Sequence, residues 1–277
     1  MTILNPDGFA YEVGPLIGST EKFKLYHCPH SGYNACILKI ATLPEHNGIL
    51  DREADLLDTL KKEAAKAQAE FSAHAENDNA FLNYQLQFPN LLDSFIDPNQ
   101  GKRRINILDL SLVAEELRQL VPLSHIISRE KLRVDPRTSA WIMGKLLKLL
   151  VFTQSLGIHI GNLCRDNILI NREQHYVMIF DWSQAKMSDD TLKPAEAAIE
   201  IGQVAREITL LLGGDPISGL LPDSDQLTDS RYENYLRHLA CYEETDASAA
   251  HRKFYVLIRE LWPNEFYPYT AHKLTVL

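Results

Sequence analysis

Apolar positions recur with short, strand-like spacing through the first forty residues. Tyr11–Ile17, Phe23–Cys28 and Ala35–Ala41 (ACILKIA) are β-rich runs, with turn residues between them at 18–20 (Gly-Ser-Thr) and 29–32 (Pro-His-Ser-Gly). The pattern then changes period. Ile49–Phe71 holds Ala, Leu, Glu and Lys without Gly or Pro, and Ile49, Leu56, Leu57 and Leu60 fall on one side of a helix. The polar stretch HAENDNA (74–80) ends it. Two more strand-like runs follow, LLDSFID (91–97) and RRINILDL (103–110), joined by the turn PNQG. From Val113 the chain is mostly helical: Asp135-Pro136 starts a long apolar helix over Thr138–Leu156 that stops at Gly157. NILI (167–170) and YVMIF (176–180) form a small hairpin, and helices over Ala195–Leu212, Arg231–Ala240 and His251–Leu261 complete the chain.

This order predicts an α+β fold with two lobes, a strand-rich one with one long helix over 1–112 and a mainly helical one over 113–277. A cleft between such lobes is the natural ligand site. The length of 277 residues gives enough core without disulfides or metals. A hydrophobic share of 45% and a charged share of 23% exclude bulk disorder. The formal charge of −9 gives no overall footprint for nucleic acid or anionic lipid. No apolar run reaches the ~18–20 residues of a membrane helix, and MTILNPDGFAYEVG lacks a signal core, so the reading is a soluble cytoplasmic protein without a membrane partner.

Four cysteines (Cys28, Cys36, Cys164, Cys241) are too scattered for a disulfide framework. Cys28 and Cys36, with His27 and His30 nearby, fit two thiols on adjacent strands better than a metal site. More informative is the order of four polar residues. Lys39 ends an apolar strand in ILKIA, Glu53 lies early on the following helix, Asn167 begins a strand after GNLCRD, and Asp181 follows YVMIF in FDWS.

Together these resemble the protein-kinase and kinase-like phosphotransferase superfamily, which includes small-molecule phosphotransferases. The segment LLKLLVFTQSLGIHIGNLCRDNILI is similar to that family's helix and catalytic loop, with the pattern H-G-D-L-x-x-x-N-I-L-[LIV] falling on Ile160–Ile170. EIGQVAREITLLLGG (200–214) resembles the family's central helix, with Glu200 in place of the usual Asp. The resemblance implies ATP and Mg²⁺ or Mn²⁺ as ligands. It implies Lys39 for the phosphates, Glu53 as its ion-pair partner, Gly18 in the glycine loop, and Asn167 and Asp181 as metal ligands.

Departures from the pattern bear on catalysis. Asn162 stands where the catalytic aspartate belongs, and an amide is no useful base. Loss of a general base costs on the order of 10²–10⁴ in rate. Cys164 and Arg165 replace the loop's usual Lys-Pro. In LIGSTEKF only Gly18 is kept, while Thr20 and Lys22 or Phe23 stand near the other glycine positions. Asp166, His159 and Arg165 are secondary candidates, and WPNEFYPY (262–269) reads as packing or as a patch for a protein partner. The leading expectation is a pseudokinase that binds nucleotide and acts in signalling through binding. An active atypical kinase of protein or small-molecule substrates, and a structural partner that binds no nucleotide, are the alternatives.

Overall fold

The computed structural model describes residues 1–29, 35–74, 81–188, 193–222, 228–262 and 267–273. The chain divides into two compact units: Met1–Leu120 with Phe180–Gln184, and Val121–Ile179 with Ala185–Leu277.

In the first unit, β1 (Thr2–Leu4) and β2 (Ala10–Glu12) form an antiparallel hairpin. β3 (Leu16–Ser19), β4 (Phe23–His27), β5 (Cys36–Ala41), β6 (Asn90–Asp97) and β7 (Arg103–Asp109) make an antiparallel sheet in the order β3-β4-β5-β7-β6. Register decides what each face carries. Leu38 lies opposite Ile107 and Ile40 opposite Ile105, and Ile3 and Tyr11 of the hairpin complete that apolar layer. The alternate residues Leu25, Lys39 and Asn106 are paired in a row and share the other face.

Helix α1 (Asn47–His74) lies on this second face, buries Leu50, Ala54, Leu56, Leu57 and Leu60, and accepts a hydrogen bond from Asn106 Nδ2 at the Leu50 carbonyl (2.9 Å). Asn47 fixes its start: its Oδ1 accepts from the Arg104 amide at 2.7 Å and its Nδ2 donates to the Lys102 carbonyl at 2.8 Å. With both faces covered, all six residues of β5 are buried, Lys39 included.

β8 (Leu120–Pro122) starts on the last residue of the first stretch, and the second unit contains the rest of it with α2 (Leu123–Ser128), β9 (Leu132–Val134), α3 (Pro136–Ser155), β10 (Ile158–His159), β11 (Ile168–Asn171), β12 (Tyr176–Ile179), β13 (Lys186–Met187), α4 (Pro194–Leu211), α5 (Ser230–Ala240), α6 (Ala247–Leu261) and β14 (Ala271–Lys273). Asp135 caps α3 by accepting from the Arg137 amide at 2.8 Å, and Pro136 supplies the first helical residue. α3 packs against α4 and α6.

From α4, the fully buried Glu200 Oε1 accepts from the amides of Ile160 (2.6 Å) and Gly161 (3.1 Å), so the helix holds the turn after β10. Gly161 has φ +75°, a left-handed conformation that glycine adopts without a Cβ clash. Glu200 Oε2 is buried without a hydrogen-bond partner among the described residues.

Several expectations need correction. Tyr11–Ile17 is not one strand: Gly14-Pro15 divides it, and β2 turns away to pair with β1. A Cβ on Gly14 would meet the His27 carbonyl at 2.8 Å, so only glycine allows this close approach. The buried face of α1 uses Leu50, because the helix begins at Asn47; Ile49 is half-buried beside it. The region after Val113 contains β8 and β9 before the long helix, with Lys131 turning the chain at φ +55°. β1 and β14 were not anticipated; β14 pairs with β9.

The turn at 30–32, the polar break over 75–80, His30, and 263–266 of the aromatic run lie outside the described residues. Among the described residues, no helix is long and apolar enough to cross a membrane.

Glu200 generates a test. Burial pushes its carboxyl up to about 7, against the pull of the Gly161 and Ile160 amides and with a further push from Glu196. An acid raised in the folded state holds its proton there between its unfolded value, 4.5, and about 7, so this group's contribution to stability falls as pH rises through that window. The shift corresponds to about 3 kcal/mol. Glu200→Gln cannot ionise, so its stability relative to the parent should rise by about that amount between pH 5 and pH 8 in urea unfolding. A pH-independent difference between the two proteins would refute the assignment.

Candidate functional site

The chemistry of the first unit gathers around one buried amine. Lys39 is 0% exposed, and its Nζ donates to Glu53 Oε1 at 2.6 Å and to Asp181 Oδ1 at 2.5 Å. Glu53 comes from α1, two residues past the N-terminal turn and a half, on the stripe with Leu50, Leu57 and Leu60. Its carboxylate also accepts from the Trp182 amide at 3.1 Å and from Asn106 Nδ2 at 3.3 Å. Asn106 is in turn held by Ser94 Oγ, which donates to its Oδ1 at 2.8 Å.

Asp181 reaches this place on a short segment with alternating character. Phe180 and Trp182 are buried, Trp182 edge-on to Phe88 with centroids 6.3 Å apart, and the alternation turns Asp181 and Ser183 the other way. The Ser183 amide donates to Asp181 Oδ1 at 3.1 Å. One lysine thus faces two carboxylates, and their environments separate them. Burial pushes Glu53 up, with Lys39 pulling it down and Asp181 pushing it up again. Burial also raises Asp181, but the charge and hydrogen bond of Lys39 and the bonds from Ser183 outweigh it and hold the group below the usual carboxylate range. Asp181 is thus held toward its ionised form, while burial works against that form at Glu53.

The turn between β3 and β4 is closed by its own side chain. Thr20 N donates to the Phe23 carbonyl at 2.9 Å, and Thr20 Oγ1 accepts from the amides of Lys22 (3.2 Å) and Phe23 (3.1 Å). The Phe23 ring lies over Lys39 Nζ, which sits 4.0 Å from the ring centroid. Gly18 lies opposite Leu25, where a Cβ would meet Leu25 Cδ1 at 3.3 Å; its part here is close strand packing. A cavity of about 520 Å³ has apolar walls from Pro15, Ile17, Pro29 and Leu117, with His27, Glu116 and Arg118 also in its lining. His27 is two residues from Leu25 on β4, so it shares the sheet face of Lys39.

In the second unit, the segment 160–167 is folded on itself. Asn162 Oδ1 accepts from Cys164 Sγ at 3.2 Å, Asn167 Nδ2 donates to the Asn162 carbonyl at 2.8 Å, and the amides of Asn167 and Ile168 both donate to the Cys164 carbonyl (2.9 and 3.0 Å). Asn162 is half-buried and Asn167 buried. Asp166 is exposed. Arg165 gives its carbonyl to the Ser124 amide at 3.1 Å. His159 Nε2 lies 3.7 Å from Glu200 Oε1.

Of the residues singled out in the sequence, Lys39, Glu53 and Asp181 meet within one unit, and Asn162 and Asn167 meet within the other. Asn106, Trp182 and Ser94 were missed. Asn106 carried a signal, an amide between two core isoleucines, whereas the Trp182 contact is through backbone and has no sequence mark. Taken unit by unit, Asp181 offers a carboxylate oxygen in the first and Asn167 an amide oxygen in the second, each a hard donor of the kind Mg²⁺ or Mn²⁺ takes. Cys28 and Cys36 are buried in the apolar layer of the sheet, and no cluster of three or more His, Cys, Asp or Glu side chains suited to a metal occurs among the described residues.

No protein-family profile matches the chain, and no curated protein matches it. Among solved structures, the one titled "Structure of vaccinia related kinase 3" superposes with a TM-score of 0.62 at 14% identity, covering 94% of this chain and 92% of that one. At that identity the likeness speaks for architecture alone: the chain has a protein-kinase-like fold.

Proposed function

We propose that this chain is a kinase-like nucleotide-binding protein of the pseudokinase type, with a regulatory or binding role. The observation that carries the reading is the Lys39–Glu53–Asp181 arrangement, a buried amine held between two carboxylates on the sheet face that also carries a cavity with apolar walls. A nucleoside triphosphate requires positive charge for its phosphates, which Lys39 supplies, and an apolar slot for its base, which the cavity by Ile17 offers. The reading assigns Asp181 and Asn167 to the divalent metal, which when bound neutralises phosphate charge. Glu53 orients Lys39 and ties its position to that of α1.

The pseudokinase part rests on Asn162. Its amide oxygen accepts a hydrogen bond from the Cys164 thiol, and it has no basic site with which to take the proton of an attacking hydroxyl. Binding without turnover makes nucleotide a ligand that shifts conformational populations, an output a protein partner can read. One observation favours a second reading, an active atypical phosphotransferase: Asp181 is kept ionised at some cost of burial, as a working metal ligand must be.

Binding is tested by thermal unfolding with ATP at millimolar concentration, with and without Mg²⁺ or Mn²⁺. Saturation at about ten times Kd should stabilise the protein by about 1.4 kcal/mol and raise Tm by about 3–6 °C. Asp181→Asn should remove the metal-dependent part of the rise. No shift with any nucleotide would leave only a structural partner.

Labelled-phosphate transfer separates the two enzyme readings. Under the pseudokinase reading the parent transfers little, and Asn162→Asp gains on the order of 10²-fold or more. Robust transfer by the parent that survives Asn162→Ala but is lost in Asp181→Asn would establish the phosphotransferase instead.

A further inference from the structure

We propose that Phe23 is a plug that closes the Lys39 amine against phosphate, so that nucleotide gains the amine only when this ring is displaced; the proposal rests on the nucleotide-binding reading above. Lys39 donates to two carboxylates, and the ring 4.0 Å from Nζ covers it on a further side. Lys39 is 0% exposed and Phe23 5% exposed, so the ring and the amine meet out of contact with solvent. The placement follows from register. Lys39 lies opposite Leu25, Ala41 lies opposite Phe23, and residues two apart share a face, so Phe23 is the diagonal neighbour of Lys39. The ring is held there by an apolar cluster of Phe23, Ala41 and Leu50, flanked by Leu25 and Ile49. It therefore bridges the sheet to α1, the helix that also supplies Glu53.

The turn before it has the same closed character. A phosphate-binding turn presents free backbone amides and leaves side chains off the approach. Here the amides of Lys22 and Phe23 are both bonded to Thr20 Oγ1, and the position facing the amine carries an aromatic ring. Opening the site requires the ring to leave Lys39 and the Thr20 bonds to loosen, so apparent affinity is lowered by the fraction of molecules in the open state.

The test compares the parent with Phe23→Ala and Phe23→Val, the second keeping a strand-favouring side chain too short to cover the amine. Each folded protein is treated with an amine-acylating ester, and acylation of Lys39 is measured by mass spectrometry relative to the exposed Lys24 and Lys61. ATP binding is then measured calorimetrically on the same samples. Lys39 labelling should rise about 10-fold or more in both variants, and ATP should bind about 10-fold tighter than to the parent. Unchanged Lys39 labelling in either folded variant overturns the plug, whatever ATP does. Faster labelling with no gain in affinity over a parent that binds ATP also overturns it. Faster labelling while none of the three proteins binds ATP supports the cover over Lys39 and removes the nucleotide reading instead. A variant that labels all lysines alike is unfolded, and the other then decides.

Discussion

A lysine amine sealed from water sets the terms for the first unit. Removing such a charge from solvent is costly unless it is paired and hydrogen-bonded. Lys39 is therefore meaningful only with Glu53 from the helix and Asp181 from a distant stretch of chain, at 2.6 and 2.5 Å. Each partner brings its own support: Asn106 and the Trp182 amide for Glu53, the Ser183 amide for Asp181. The sheet, the long helix and the FDWS segment are thereby bound to a single electrostatic arrangement. A change at any one of these points alters the balance of charge and hydrogen bonding around the buried amine, so the cluster couples folding to ligand chemistry.

Sequence patterning revealed the elements with strong periodicity and the residues with unusual polarity. The long helices, the β6–β7 and β11–β12 hairpins, and the α+β layout were legible because burial imposes period 3.6 or period 2 over many residues. A lysine inside ILKIA and an aspartate after YVMIF stood out as charges within apolar runs. What stayed hidden had little composition signal. β1 and β14 are three residues each, and their existence depends on finding partners β2 and β9. The break at Gly14-Pro15 depends on a close approach to the His27 carbonyl, a tertiary fact. Phe23 was visible as a departure from a glycine pattern, but only register shows that its ring meets Lys39.

The second unit uses a different device to shape its loop. Glu200 reaches from α4 to two consecutive amides, and Asn167 reaches back to the Asn162 carbonyl, so the segment is held at both ends by side chains rather than by a sheet. The second oxygen of Glu200 is buried with no hydrogen-bond partner among the described residues. This ties the loop's anchoring to proton uptake, whereas the Lys39 cluster is tied to charge pairing.

The five residues Phe180–Gln184 belong to the first unit although the chain on either side of them belongs to the second. The first unit is therefore not a contiguous stretch of the gene. A fragment cut after Leu120 would carry Lys39 and Glu53 without Asp181, Trp182 or the backbone donor that they bring. Dissection by truncation removes a piece of the very core it sets out to isolate, and any minimal version must be stitched from two separated lengths of polypeptide.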